Sequence, residues 1–224
     1  MPKLIFLEVP FEQKDEVKAL GAKWHSKRRK WFVPEDGDES IYSEWIPQYE
    51  TEFNLRAIAP FYLIHSFEIC YKCKMDSAVV TFGSLGCEYL NEKDDEYSEE
   101  GEGDEIKEEP VSFSYISVVP ERLAAYIEEK LPNYFLDWSN TTESFYYMNH
   151  CEQCGAHLGD FFLHSEPEHA FFPQTPQEVQ RMKIIDLKPQ GTVKLSASPH
   201  WGSMEFILKH TSVVGSENPR QDQS

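Results

Sequence analysis

The sequence predicts an α+β protein, in which a small N-terminal αβ module precedes a β-rich domain with one main helix. Three observations support this class. Residues 1–50 combine short apolar runs with a stretch of good helix formers. Residues 52–87 are dominated by β-branched and aromatic side chains, which favour strands. Two Cys-x-x-Cys pairs, Cys70 with Cys73 and Cys151 with Cys154, indicate zinc knuckles in the β-rich part.

The N-terminal module, residues 1–50, has the pattern of a helix flanked by short strands. Its predicted elements are a strand at 3–8, a helix at 12–20, two short strands joined by a polar turn at 24–30, and a short helix at 39–48. Pro10 follows the first strand, and Gly21 suits the C-terminal end of the helix. The pattern predicts a compact unit of about 50 residues.

The second domain, residues 51–212, reads as mainly strands. Its predicted elements are strands within 52–87, an acidic loop at 88–110, a strand at 111–119, a helix at 120–131 and three strands within 184–210. Leu123, Ile127 and Leu131 fall on one face of that helix. Residues 213–224 are predicted to form a flexible tail.

The charge of the chain is strongly negative, with a formal net charge of -18. The acidic loop at 88–110 holds twelve acidic and two basic side chains, and so contributes -10 of it. Such a segment cannot bury a core, and we expect it to be exposed. The negative field attracts basic surfaces and repels phosphate backbones, which favours a basic protein partner. The alternative is that the acidity only keeps the protein in solution.

The longest apolar runs, such as the one at 57–64, are too short to span a bilayer. The first residues lack the apolar core and cleavage site of a signal peptide. We therefore expect a soluble, cytoplasmic protein that makes no membrane contact.

The four paired cysteines are the strongest chemical signal in the sequence. Two residues between cysteines let a tight turn direct both sulfurs at one ion, and two such turns complete a tetrahedron. Cys70, Cys73, Cys151 and Cys154 are therefore predicted to hold one structural zinc ion, with 77 residues between the pairs. Two alternatives remain: buried or redox-active cysteines, and a catalytic site in which His150 or His157 replaces one cysteine.

Other candidate catalytic groups are weaker. Cys87 could act as a nucleophile if His65 lay beside it as a base, but a packed thiol is the simpler interpretation. Asp160 and Glu166 could form a carboxylate pair. The sequence has no helical His-x-x-x-His spacing, no P-loop and no Gly-x-Ser-x-Gly motif.

A basic finger lies between two tryptophans in the N-terminal module. We define it by Lys23, Trp24, Lys27, Arg28, Arg29, Lys30 and Trp31. Cations and flat rings could contact nucleic acid. Alternatively, the two rings pack on each other across a hairpin and the cations form its solvated tip, or the finger contacts the acidic loop or an acidic partner.

Residues 4–47 resemble a small bacterial domain of unknown function that is also found on conjugative-plasmid primases. The residues that carry the resemblance are Val9-Pro10, Lys14-Asp15, Ala19-Leu20-Gly21-Ala22, Trp24 and Trp31. This family has no settled activity, so the resemblance implies a domain but no reaction.

Residues 55–210 resemble an uncharacterised group of bacterial zinc-knuckle proteins. The shared residues are the first cysteine pair, the run Asn149 to Ala156 around the second pair, Gly159 to Leu163, Glu166-Pro167 and Phe171 to Pro173. The chain departs from the group at Leu158, where Gln is usual, and at Glu168-His169, where Gly-Gly is usual. The resemblance implies zinc and no particular activity.

Together these features favour a non-enzymatic, zinc-stabilised, acidic binding protein, such as an immunity-type inhibitor of a basic, nuclease-like protein. An accessory factor in plasmid or phage DNA processing, contacting nucleic acid through residues 23–30, is the first alternative. A metal-dependent hydrolase is the second. The sequence leaves the oligomeric state open.

Overall fold

The computed structural model describes residues 5–26, 28–47, 52–90, 106–189 and 191–216. The chain divides into two compact units, Met1–Tyr49 and Glu50–Ser224. No helix in the described part of the chain is long and apolar enough to cross a membrane.

The described residues contain thirteen strands. They are β1 (Ile5–Leu7), β2 (Lys23–His25), β3 (Lys30–Val33), β4 (Leu55–Ile69), β5 (Asp76–Tyr89), β6 (Ile106–Lys107), β7 (Val111–Val118), β8 (Tyr134–Ser139), β9 (Ser144–His150), β10 (His157–Leu158), β11 (Lys183–Asp186), β12 (Val193–Trp201) and β13 (Val213–Ser216).

Five α-helices, none longer than ten residues, accompany the described strands. They are α1 (Lys14–Ala19), α2 (Glu121–Lys130), α3 (Asp160–Ser165), α4 (Pro176–Val179) and α5 (Ser203–His210). Two 3₁₀ helices, Phe11–Gln13 and Glu39–Tyr42, belong to the N-terminal unit.

The N-terminal unit is built on a three-stranded antiparallel sheet in the order β1-β3-β2. Its core includes Leu7, Val17 and Tyr42, each almost fully buried. The Tyr42 hydroxyl donates to the carbonyl of Leu20 at 2.6 Å, so it is paired despite its burial.

The larger unit is organised around a seven-stranded sheet in the order β13-β11-β4-β12-β7-β5-β6, in which β4 also pairs with β5. That extra pairing closes a ring of β4, β12, β7 and β5, which is a small barrel. Only the β11–β13 pair is parallel among these described pairings. The stacked rings of Phe61 and Phe82, 5.5 Å apart, lie in its core.

A second antiparallel sheet of this unit, in the order β10-β9-β8, completes the β structure. Helix α2 buries Leu123, Tyr126 and Ile127 in the same apolar core as Tyr134 of β8. The helix predicted at 120–131 is therefore present at the expected place.

The predicted fold class, α+β with a small N-terminal αβ module and one main helix, is wrong. The protein is β-rich: its described residues form three sheets, one of them closed into a barrel, and the described α-helical residues are divided among five short helices. The physical reason is that tertiary packing sets the conformation of short apolar runs, which fit either period. The run MEFILKH, predicted as a strand, is helix α5, with Met204 and Ile207 buried three residues apart.

Two other expectations fall partly outside the described residues. In the acidic loop, residues 88–90 and 106–110 are described, and Ile106–Lys107 pairs with β5, whereas 91–105 lie outside. In the predicted tail, Val213–Ser216 is a strand paired with β11, and 217–224 lie outside.

Candidate metal centre

The first cysteine pair lies in the turn of a long hairpin. Strands β4 and β5 pair from Leu55 with Tyr89 to Ile69 with Asp76, so the turn that joins them carries Cys70 and Cys73. The backbone N–H of Cys70 donates to the Met75 carbonyl, and the N–H of Lys74 donates to the Cys70 carbonyl, both at 2.9 Å. Lys74 has a φ of 61°, which the tight turn requires.

The second pair repeats this turn between β9 and β10. The N–H of Cys151 donates to the Ala156 carbonyl, and the N–H of Gly155 donates to the Cys151 carbonyl, both at 2.8 Å. Gly155 has a φ of 65°, at the position that corresponds to Lys74. Both pairs are therefore hairpin turns of the same hydrogen-bonding pattern.

The two turns bring the four sulfurs together. Cys70 Sγ lies 3.7 Å from Cys154 Sγ, and Cys73 Sγ lies 3.6 Å from Cys151 Sγ. All four sulfurs lie within 4.8 Å of one another, so this cluster could bind a metal ion. The cysteines that the spacing predicted as ligands are the ones that the fold gathers.

The protein environment favours a thiolate at Cys151. Burial raises the pKa of this thiol, but hydrogen bonds from the backbone of Cys154 and Gln153 and from neighbouring thiols lower it to about 7. At Cys73 a backbone hydrogen bond from Met75 lowers the pKa, but desolvation and the other thiols raise it to about 12. A bound cation would stabilise both thiolates, since metal ligands are deprotonated thiols.

Side chains around the cluster fasten the second turn to strand β5. Buried Asn149 accepts the N–H of Val80 at 2.8 Å and donates to the Val80 carbonyl at 2.9 Å. The N–H of Glu152 donates to Ser77 Oγ, and Glu152 Oε2 accepts the N–H of Ala78. These supporting roles carry no clear signal in the sequence, except that Asn149 directly precedes His150 and Cys151 in the shared run.

His150 and His157 form a separate group with Asp137. Asp137 Oδ2 lies 3.0 Å from His150 Nε2 and 3.1 Å from His157 Nε2. The three side chains could hold a metal ion, but they are distinct from the four-cysteine cluster. Burial lowers the pKa of His150, against the opposing effect of Asp137. Neither histidine takes the place of a cysteine in the four-cysteine cluster, as the catalytic alternative would require.

Cys87 and His65 are not a nucleophile and base. Cys87 is fully buried in β5, where desolvation raises the pKa of its thiol to about 11. Its partner in the β4–β5 ladder is Ala57, whereas His65 stands opposite Val80, seven residues further along β5. At about 3.4 Å per residue the two side chains are more than 20 Å apart along the ladder. Cys87 is a packed thiol.

Asp160 and Glu166 stand at opposite ends of α3. Asp160 is buried, and its Oδ2 accepts the backbone N–H of Tyr115 at 2.7 Å. Glu166 follows the last residue of the helix. The hypothesis of a facing carboxylate pair gains no geometric support.

The basic finger is a hairpin of β2 and β3, as its sequence predicts. Trp24 stands opposite Trp31, and their rings contact edge to face with centroids 5.4 Å apart. The guanidinium of Arg28 lies over the ring of Phe6 at 4.7 Å, and Lys30 forms an ion pair with Glu8. Lys27 lies outside the described residues. Lys23 and Arg29 are the other cations of the finger that the structure describes. Two of the cations thus have partners inside the unit.

Residues 5–47 match the family model described as "Domain of unknown function (DUF5710)". Two relatives from Escherichia coli named "DNA primase TraC" match over 44 residues each, at 48% and 36% identity. Each match covers 20% of this chain and only 4% or 3% of the relative, so the chain spans a small part of the length of these relatives. No solved structure matches the chain.

The predicted resemblance of the N-terminal segment to a primase-associated domain of unknown function is therefore confirmed. The family model covers residues 5–47 alone, so it does not confirm the resemblance of residues 55–210 to a group of zinc-knuckle proteins, which remains a resemblance.

Proposed function

We propose that the protein is a non-enzymatic binding protein whose larger unit is stabilised by one zinc ion. The observation that carries this proposal is the sulfur geometry. Zinc–sulfur bonds of about 2.3 Å in a regular tetrahedron place the sulfurs about 3.8 Å apart. The separations of 3.7 Å between Cys70 and Cys154 and of 3.6 Å between Cys73 and Cys151 agree with that edge length.

A four-thiolate site supports a structural role for the zinc. All four positions of a tetrahedral ion would be occupied by Cys70, Cys73, Cys151 and Cys154, leaving none for a substrate or an activated water. The ion would join the turn of the β4–β5 hairpin to the turn between β9 and β10, and so would hold the seven-stranded sheet to the β8–β10 sheet.

The partner that the charge favours is a basic protein, bound in the way that immunity proteins bind nuclease toxins. The net charge of -18 gives the chain a strong negative field, to which residues 88–110 contribute most. A dense run of acidic side chains accelerates the encounter with a cationic surface more than it slows dissociation.

The experiment uses the protein encoded by the adjacent gene as the binding probe. We expect a basic protein that binds this chain, with an association rate that falls as salt increases. Replacing the acidic residues between 92 and 109 with Ser and Gln should slow association and change the dissociation rate less. A neighbour that is acidic, or one that does not bind at low salt, contradicts the proposal.

A second candidate function is supported by the comparisons. Both E. coli relatives are named DNA primase, and the segment they share with this chain contains the basic finger. We propose as the alternative an accessory role in DNA processing, in which the finger contacts nucleic acid. Titration of labelled DNA with the parent and with the Arg28→Ala, Arg29→Ala double variant tests it. Tight, salt-sensitive binding that the double variant loses supports this role, and no binding at low salt excludes it.

A further inference from the structure

A cavity of about 810 Å³ opens in the larger unit. It is lined by residues from the tip of the β4–β5 hairpin, from the turn between β8 and β9, and from helix α3. Its volume is in the range of small-molecule binding sites, which is roughly 300 to 1,000 Å³.

The walls of the cavity carry apolar side chains that nothing in the described residues covers. Ile69, Tyr71, Phe161 and Phe162 all line it, and each is more than half exposed. Large apolar side chains that converge on one concave surface in this way are typical of a binding site. They offer contact area to the apolar body of a ligand.

Among the polar side chains that line this cavity is the carboxyl of Asp160, which is only 3 % exposed. Its Oδ2 accepts the N–H of Tyr115, a residue with a φ of 49°, while its Oδ1 has no hydrogen-bond partner among the described residues. A buried carboxyl oxygen without a donor costs free energy. Oδ1 is itself buried, so a ligand removes that cost if the Asp160 side chain turns toward the cavity and meets the ligand's donor.

The charged side chains that line the cavity indicate which kind of ligand group binds best. Among the described residues that line the cavity there is no Lys or Arg. Glu68, the other lining carboxylate, already accepts from the N–H of Ala170 and pairs with His169 at 3.1 Å. Asp160 is therefore the carboxylate with a vacant acceptor, and a cationic N–H donor complements it best.

We propose that this cavity binds a small organic cation, with an ammonium or amidinium group on Asp160 and an aromatic or aliphatic body against Tyr71, Phe161 and Phe162. This inference goes beyond the proposed function, because it depends neither on the identity of the metal nor on a macromolecular partner. Burial raises the pKa of Asp160 to about 7, so the carboxylate gains more from a neighbouring cation than an exposed one would.

The test measures binding of three ammonium probes, benzylammonium, 2-phenylethylammonium and tryptammonium, to the full chain by calorimetry and ligand-observed NMR. The uncharged control is 2-phenylethanol, which has the same body without the cation. We expect at least one ammonium probe to bind about tenfold or more tightly than the alcohol, a difference of about 1.4 kcal/mol.

Two variants and a matched control locate the site. Asp160→Asn should weaken the ammonium probe about tenfold and leave the alcohol unchanged, while Glu128→Gln, which removes an exposed charge outside the cavity, should change neither. Phe162→Ser, at an exposed position, should weaken binding of the ammonium probe and of the alcohol alike. This variant locates the site even if Asp160→Asn does not fold.

Three results would overturn the proposal. One is that none of the three ammonium probes binds at about 5 mM, where a ligand with a Kd near 1 mM would be mostly bound. Another is equal affinity for 2-phenylethylammonium and 2-phenylethanol. The third is ammonium binding that survives both Asp160→Asn and Phe162→Ser unchanged.

Discussion

At the scale of single residues, Asn149 shows how one side chain replaces a length of strand pairing. Its amide both donates to and accepts from the backbone of Val80, as a neighbouring strand would. Both bonds lie in the interior, where water cannot replace them. The amide is therefore required as donor and acceptor together, which a carboxylate cannot supply.

Asn149→Asp should lower the free energy of unfolding by roughly 2–4 kcal/mol, because it leaves the Val80 carbonyl unpaired and buries a charge. Asn140→Asp is the matched control. Asn140 is exposed and accepts from the indole N–H of Trp138, which a carboxylate can also do. Urea unfolding measures both, and an equal loss in the two variants would show that the Val80 bonds contribute nothing.

Asp160 makes the stability of the fold depend on pH. Desolvation raises the pKa of its carboxyl to about 7, although the N–H of Tyr115 opposes this. The titratable groups that interact with it are Tyr115, Tyr134 and Tyr146, and burial raises the pKa of each of these phenols. They therefore stay neutral over the range in which Asp160 titrates.

The folded state holds the Asp160 proton up to about pH 7, whereas the unfolded chain releases it near the ordinary aspartate pKa of 3.8. The contribution of this carboxyl to stability is thus greatest below pH 4 and is lost as the pH rises to 7. We expect Asp160→Asn to remove this decrease of the unfolding free energy with pH. The variant should therefore be more stable than the parent at pH 8, by up to about 4 kcal/mol. Parallel pH–stability curves for parent and variant would contradict the assignment.

The roles of single residues can be predicted from the sequence where the spacing alone brings their side chains together. The four cysteines were found because two-residue spacing directs two thiols at one point. Asn149 and Asp160 have no such signal, since their roles depend on Val80 and Tyr115, which lie 69 and 45 residues away in the chain. Only the assembled sheets bring those partners into contact.

At the scale of secondary-structure elements, the two cysteine turns follow one pattern with different residues at the position of positive φ. Lys74 adopts it in the first turn and Gly155 in the second. The left-handed conformation is strained for a residue with a Cβ, and most for a β-branched one.

Gly155→Val should therefore destabilise the larger unit by roughly 1–3 kcal/mol. Gly155→Asn is the matched variant, since Asn tolerates positive φ, and it should cost less than half as much. Thermal unfolding in the presence of zinc measures both. Equal losses for Val and Asn would mean that backbone conformation is not what the glycine provides.

Some helices and strands differ from those that the sequence predicts. In MEFILKH, apolar residues at 204, 206 and 208 alternate as in a strand, but packing buries Met204 and Ile207 on one helical face. Helix α4 had a usable signal, since Thr175 caps it and Glu178 follows three residues later. The sequence also predicts a turn at 199–202, but β12 continues to Trp201 in register with β7, so residues 199–201 are strand.

At the scale of the whole molecule, the cysteine cluster joins parts of the larger unit that are distant in sequence. One pair closes the β4–β5 hairpin of the barrel and the other belongs to the β8–β10 sheet. The 77 intervening residues make the loss of this connection costly, because a long loop is then left open. The order of the strands around the barrel could not be predicted, since it follows from pairings between strands far apart in the chain.

Cys151→Ser should lower the stability of the larger unit by roughly 4 kcal/mol or more, or prevent it from folding, since metal binding and folding are coupled. Cys87→Ala, which removes a buried thiol outside the cluster, should cost about 1 kcal/mol and leave metal binding intact. Circular dichroism during denaturation measures both. A Cys151→Ser protein that unfolds with the parent would show that the cluster is not a structural site.

The most direct test of the zinc-stabilised fold is X-ray absorption at the zinc edge, combined with elemental analysis of the purified protein. We expect about one zinc ion per chain, with four sulfur ligands at about 2.3 Å and no nitrogen or oxygen ligand. Protein that folds without metal, or a spectrum dominated by nitrogen or oxygen ligands, would contradict it.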